Sequence, residues 1–152
     1  MPQINLDGKG MVEKFTAGEA ITKGDVVYIS ATNEVKKAAS ANARRVIGVA
    51  NRDASAGAEV EVIIYGEAEV TADGAISAGD SIIAAVTAGR VIAENSVTSN
   101  GHTHTENLAA TYTQNATTAE ATDTVEHSRV LGVALGGASA GDKLMILVCL
   151  RG

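Results

Sequence analysis

Several short patterns in this chain have residue types that could do chemistry. Gly137-Ala138-Ser139-Ala140-Gly141 satisfies G-x-S-x-G, the pattern of a strained strand-to-helix turn that presents a nucleophilic serine. Here residues 143–150 (KLMILVCL) read as a strand and not a helix, and no histidine follows His127 to act as base. Ser139 is therefore expected in a β-turn. His102 and His104 would share one face of an extended segment and, with Glu106 and His127, could ligate a metal. Their polar flanks point instead to a solvated loop, so no resident metal is assigned, and His102 and His104 remain the candidates should one bind. Asp142-Lys143 has the form of a modified carrier lysine, yet Lys143 opens an apolar run instead of capping a hairpin. Asn115-Ala116-Thr117 matches a glycosylation sequon without a secretion signal, and Gly8-Lys9-Gly10 lacks the rest of a phosphate loop. The single cysteine, Cys149, lies in the apolar run and is expected to be a core thiol, with no internal disulfide. No acid–base pair and no cofactor fingerprint emerges. The chain is expected to be non-enzymatic, to need no cofactor and to work through its surfaces.

The elements that would carry those surfaces are β-strands. The chain has 152 residues, 16 glycines, one proline, one Phe, three Tyr and no Trp. Its apolar supply is Ala, Val and Ile in short runs between glycine-containing turns, which predicts an all-β class with thin layers. A net charge of −6 argues against nucleic acid as partner, because such a partner needs clustered cations. The cations are nevertheless uneven: Lys36, Lys37, Arg44 and Arg45 crowd one stretch, and residues 91–128 contain neither Lys nor Arg. One part of the molecule could face an acidic partner. Residues 1–10 lack the basic-then-apolar order of a signal peptide. No apolar run approaches the ~20 residues that span a bilayer, and no membrane partner is expected.

Self-similarity decides the organisation. Residues 14–25 (KFTAGEAITKGD) match residues 69–80 (EVTADGAISAGD) at a shift of 55. Residues 45–50 (RVIGVA) match 129–134 (RVLGVA) at a shift of 84, and 53–57 (DASAG) match 137–141 (GASAG) at the same shift. The change of shift places an insertion of 84 − 55 = 29 residues in the second copy, assigned by its Thr-rich, cation-free composition to about 95–127. The expected organisation is an N-terminal arm (1–13), a first β-module (14–68) and a second (69–152) interrupted by that polar insertion.

Each copy reads as the same run of strands. In the first they are 26–30, 34–38, 45–50 and 58–65, with Gly48 inside the third marking a bulge, bend or close backbone approach. In the second they are 81–85, 89–93, 129–134 and 143–150. Turns at Lys23-Gly24-Asp25 and at residues 54–57 separate them, where Asp accepts backbone N–H bonds and Gly tolerates positive φ. Two related modules packed as a small sandwich or barrel result.

The phrase at residues 20–28 (AITKGDVVY), followed by 45–50 (RVIGVA) and the alternating strand at 59–66, resembles the head-decoration (capsid cement) proteins of tailed phages. The resemblance covers most of the chain except residues 1–10 and the insertion, and its motifs are turn-and-strand patterns. It implies a homotrimer on the outer surface of an icosahedral virion head, made in the host cytoplasm, with the major capsid protein as partner. In such proteins an N-terminal segment reaches onto the shell and can add a strand to it. Ile4 and Leu6, on one face of an extended arm, and the basic set Lys36, Lys37, Arg44 and Arg45 are then the expected capsid contacts. A rival expectation is a small ligand- or carbohydrate-binding β-module displayed through the Thr-rich insertion.

Overall fold

The computed structural model describes residues 3–4 (backbone), 10–94 and 129–151. Leu6, His102, His104, Glu106, Asn115, His127 and the 95–127 insertion lie outside the described residues, as does the side chain of Ile4. The all-β expectation holds. Among the described residues ten strands form one sheet that curls back on itself.

The first ring is a closed five-stranded barrel with further strands outside it. Its strands are β2 (Gly10–Ala17), β3 (Val26–Ala31), β4 (Glu34–Lys37), β5 (Val46–Ala50) and β6 (Glu59–Thr71). They follow the order β2-β4-β3-β5-β6, and β6 returns to pair antiparallel with β2. The β2–β4 pairing, Thr16 to Glu34 and Ala17 to Val35, is parallel; the others are antiparallel. A two-residue strand β1 (Gln3–Ile4) lies on β2, with Ile4 opposite Met11.

The remaining strands, β7 (Ser81–Ala84), β8 (Val91–Ala93), β9 (Val130–Ala134) and β10 (Lys143–Arg151), continue from β6 in the order β6-β10-β9-β7-β8. One parallel bridge, Ala72 to Val91, joins β8 back to the end of β6 and closes a second ring. Pairings of the first ring recur here at the shifts found in the sequence. Phe15 faces Val60 and Val70 faces Leu144; Val27 faces Gly48 and Ile82 faces Gly132. The bridges Ile21–Ala54 and Ile76–Ala138 correspond in the same way.

Strand β6 is a wall of both rings. The alternation at residues 58–65 predicts a strand that ends at Tyr65, but β6 runs six residues further, to Thr71. Gly66 does not break it, because the alternation keeps its phase: Val60, Val62, Gly66, Ala68 and Val70 are buried, while Glu67 and Glu69 are exposed. The boundary drawn at residues 68/69 thus falls inside one strand, and residues 10–13 begin β2. Strand β2 and the 3₁₀ turn Ser40–Arg45 were not anticipated.

Burial separates three layers. Ala17, Ile21, Val27, Val35, Val60 and Val62 fill the first ring. Their counterparts Ala72, Ile76, Ile82, Val91, Leu144 and Ile146 fill the second. Val26, Val46, Val49 and Ile63 stand on the outside of the first ring, yet they are buried in the same cluster as the second ring's interior. They cement the rings together. Hydrogen bonds cross that joint as well: Val26 N–H donates to Gly89 O (3.0 Å), Gly89 N–H to Ala38 O (2.8 Å), and the Arg129 guanidinium to Val46 O (3.1 Å).

Candidate functional site

The residues singled out for chemistry fall into plain structural roles. Ser139 sits in a turn, its backbone N–H donating to Asp142 Oδ2 at 3.2 Å, and the chain continues as β10. The same turn device holds residues 22–25 and 77–80, where Thr22 and Ser77 N–H groups each donate to an Asp carboxylate at 2.8 Å. Lys143 opens β10 as expected, and its ammonium stands 3.7 Å from Glu69. Cys149 is a free thiol on β10, half-buried opposite Tyr65. It lies on the outward side of the strand and not in the core, because β10 alternates and Leu144, Ile146 and Val148 take the inward positions. Among the described residues no group of three or more His, Cys, Asp or Glu could hold a metal ion. No helix among them is long and apolar enough to cross a membrane.

The basic set occupies one connection, from β4 through the 3₁₀ turn into β5. Lys36 and Lys37 are successive residues of β4 and so project to opposite sides of it. Lys37 is half-buried, and its backbone N–H donates to Glu19 Oε1 at 2.7 Å. Arg44 and Arg45 end the 3₁₀ turn and are exposed. The turn presents them because Ala43 before them and Val46 after them are buried at the ring joint, which leaves the two arginines between them facing solvent.

Asp25 lies close to both rings. Its carboxylate accepts the Thr22 N–H, and a Cβ added to Gly89 of the second ring would come within 2.6 Å of Asp25 Oδ1. Burial pushes its pKa above the ordinary 3.8, against the opposing effects of the Thr22 hydrogen bond and the positive charge of Lys37. A shallow groove of about 240 Å³ opens nearby, between the rings, bordered by Lys23, Asn51, Glu67, Glu69 and Met145.

One surface was missed by the sequence reading. Tyr65, Leu135 and Met145 are large apolar residues left exposed on β6, just after β9 and on β10. The signal for it is in the duplication. At the shift of 84, Leu135 corresponds to Asn51 and Met145 to Glu61. The backbone is alike at the two places: Asn51 N–H donates to Glu61 O at 2.8 Å, and Leu135 N–H to Met145 O at 2.9 Å. The first ring carries a hydrogen-bonded polar pair there, Asn51 Nδ2 to Glu61 Oε2 at 3.3 Å, and the second ring carries two exposed hydrophobes.

No family model matches the chain, and no curated protein matches it. Among solved structures it is similar to the crystal structure of head fiber gp8.5 N base in bacteriophage phi29. The TM-score is 0.55 and the identity 17%, over 91% of this chain and 92% of that chain. The likeness is one of fold, and it extends over nearly the whole length of both.

Proposed function

We propose that the chain is a virion structural protein that binds the outside of an icosahedral phage head as a decoration or cement protein, in homotrimers. The observation that carries this reading is the near full-length fold likeness to the base of a phage head fibre. The turn-and-strand phrases at residues 20–28 and 45–50 support it from a separate direction. The mechanism is additive. Many copies each make modest contacts with several shell subunits, and binding only the assembled lattice stabilises that lattice relative to its dissociated parts. Arg44 and Arg45, with Lys36 and Lys37 beside them, supply charge-assisted contacts to acidic groups of the major capsid protein. Ile4 and Leu6 supply contacts from the arm.

The test is co-sedimentation of the purified protein with expanded heads of the phage that carries its gene. Saturable binding in a fixed ratio to the capsid subunit, with heads that survive a higher temperature, is the expected result. Heads that pellet without the protein would overturn the reading.

A further inference from the structure

We infer that Arg129 is a positioning residue for the basic connection: reaching across from the second ring, it caps the 3₁₀ turn Ser40–Arg45 and so fixes how Arg44 and Arg45 leave the surface. That Arg44 and Arg45 touch the shell rests on the reading above; how they are held does not. The last carbonyls of any helical turn lack partners within the turn and need donors from outside it. This turn has six residues, and 3₁₀ hydrogen bonds have poor geometry, so it holds weakly by itself. Ala39 at its start makes no side-chain cap. Its end carries two adjacent cations, which repel each other.

Arg129 supplies donors where the turn ends. Its backbone N–H donates to Ala43 O at 3.4 Å, and its guanidinium donates to Val46 O at 3.1 Å, Val46 being the residue that closes the turn. Those two acceptors bracket Arg44 and Arg45. The second bond is the shorter one and is charge-assisted, and it joins residues 83 positions apart. Arg129 is itself held, because the next residue, Val130, starts β9 and pairs with Arg151 of β10. The two exposed arginines belong to the first ring, yet the second ring sets their placement.

The duplication marks this residue out. At the shift of 84 Arg129 is the counterpart of Arg45, and each stands directly before a strand, β9 and β5. Arg45 is exposed, whereas Arg129 is half-buried with its guanidinium on the other ring's backbone. One position of the repeat thus has two tasks, an outward cation on the first ring and a clamp on the second. A clamp one residue beyond the exposed pair suits a connection whose side chains must point one way.

The test measures hydrogen exchange and head binding on the full chain carrying Arg129→Met, which keeps an aliphatic stem and removes the guanidinium donors. Exchange should be about fivefold faster at residues 42–46, with β6 unchanged, and head binding should weaken by about the same factor. In an Arg44→Ala/Arg45→Ala background the same change should cause no further loss of binding, because a positioning residue acts only through what it positions. Further loss in that background would overturn the inference, and so would unchanged exchange at residues 42–46. Should Arg129→Met fail to fold, Arg129→Lys keeps the charge and a single donor, and the same comparisons apply with smaller effects expected. If the wild type does not bind heads, the capsid reading falls, and exchange at residues 42–46 alone decides whether Arg129 holds the turn.

Discussion

Gly48 on β5 lies so close to Ile63 on β6 that a Cβ in place of its hydrogen would overlap the Ile63 carbonyl oxygen. Gly132 on β9 stands in the same relation to Leu147 on β10. In each case the obstacle is backbone within a closed ring, which cannot swing aside as a flexible side chain would. Gly48→Ala should therefore cost about 2–3 kcal/mol, as overpacking of a rigid interior does. Gly57→Ala is the comparison. There φ is 84° and no atom lies within 4 Å, so only the left-handed conformation is penalised, by about 1 kcal/mol. Urea denaturation checks the pair, and equal losses would contradict the account of Gly48.

The two rings should unfold together. Val26, Val46, Val49 and Ile63 of the first share a cluster with Leu131, Leu144 and Ile146 of the second, and β6 belongs to both. Neither ring can open without exposing that joint. Differential scanning calorimetry should show one transition whose calorimetric and van't Hoff enthalpies agree. Two resolved peaks would mean that the joint is weaker than the ring interiors.

Leu131→Ala is expected to destabilise the chain by about 2–5 kcal/mol, since the side chain is fully buried at 0% exposure and its removal leaves a cavity that strand backbone cannot fill. Leu135→Ala, four residues on and half-exposed, should cost less than about 1 kcal/mol. Melting curves of the two variants separate core from surface on one short segment.

Asp25 contributes a pH dependence of definite sign. Its folded pKa is raised above 3.8, chiefly by burial, so the fold favours the protonated form. The associated stability is complete below 3.8 and is lost as pH rises through the raised folded value. Asp25→Asn keeps an oxygen for the Thr22 N–H and removes the titration. The variant should thus gain on the wild type as pH rises above 3.8, measured as the difference between their denaturation midpoints across a pH series. A constant difference would show that Asp25 titrates alike in both states.

If the basic connection touches an acidic shell, Arg44→Glu and Arg45→Glu should each weaken head binding about tenfold at low salt, and less at higher ionic strength as charges are screened. Thermal stability should stay nearly level, because both side chains are exposed. Binding indifferent to both changes and to salt would remove this connection from the contact.

The sequence made the strands legible where alternation and turn chemistry agree. The run at 59–65 has β-branched residues at every second position, and the turns before β3 and β7 each end in a Gly-Asp pair whose carboxylate holds a backbone N–H. Gly48 was readable as a bulge, a bend or a close approach, and it is a close approach to Ile63 beside a register shift between β3 and β5. Strand β2 was not readable. Its residues, GMVEKFTA, bury only Ala17 fully, so the hydrophobic period that would announce it is faint. The passage of β6 through Gly66 was hidden for a different reason: glycine after a good strand looks like an ending until strands are known to pair with it on both sides. The exposed Leu135 and Met145 are ordinary in isolation. They acquire meaning when set beside Asn51 and Glu61, a comparison of positions that the duplication permits but strand patterns alone do not prompt.

Gly66 has one more consequence. Gly10 pairs with it from one edge of β6 and Val148 from the other. The start of β2 and the finish of β10 therefore flank the same residue, although 138 positions separate them (148 − 10). A passenger fused ahead of Gly10 and one fused behind Arg151 would emerge side by side, from a single anchorage at the waist of the molecule. A short linker between those points, with new ends opened in the exposed turn at residues 55–57, would give a circular permutant that preserves the ladders from β2 to β10.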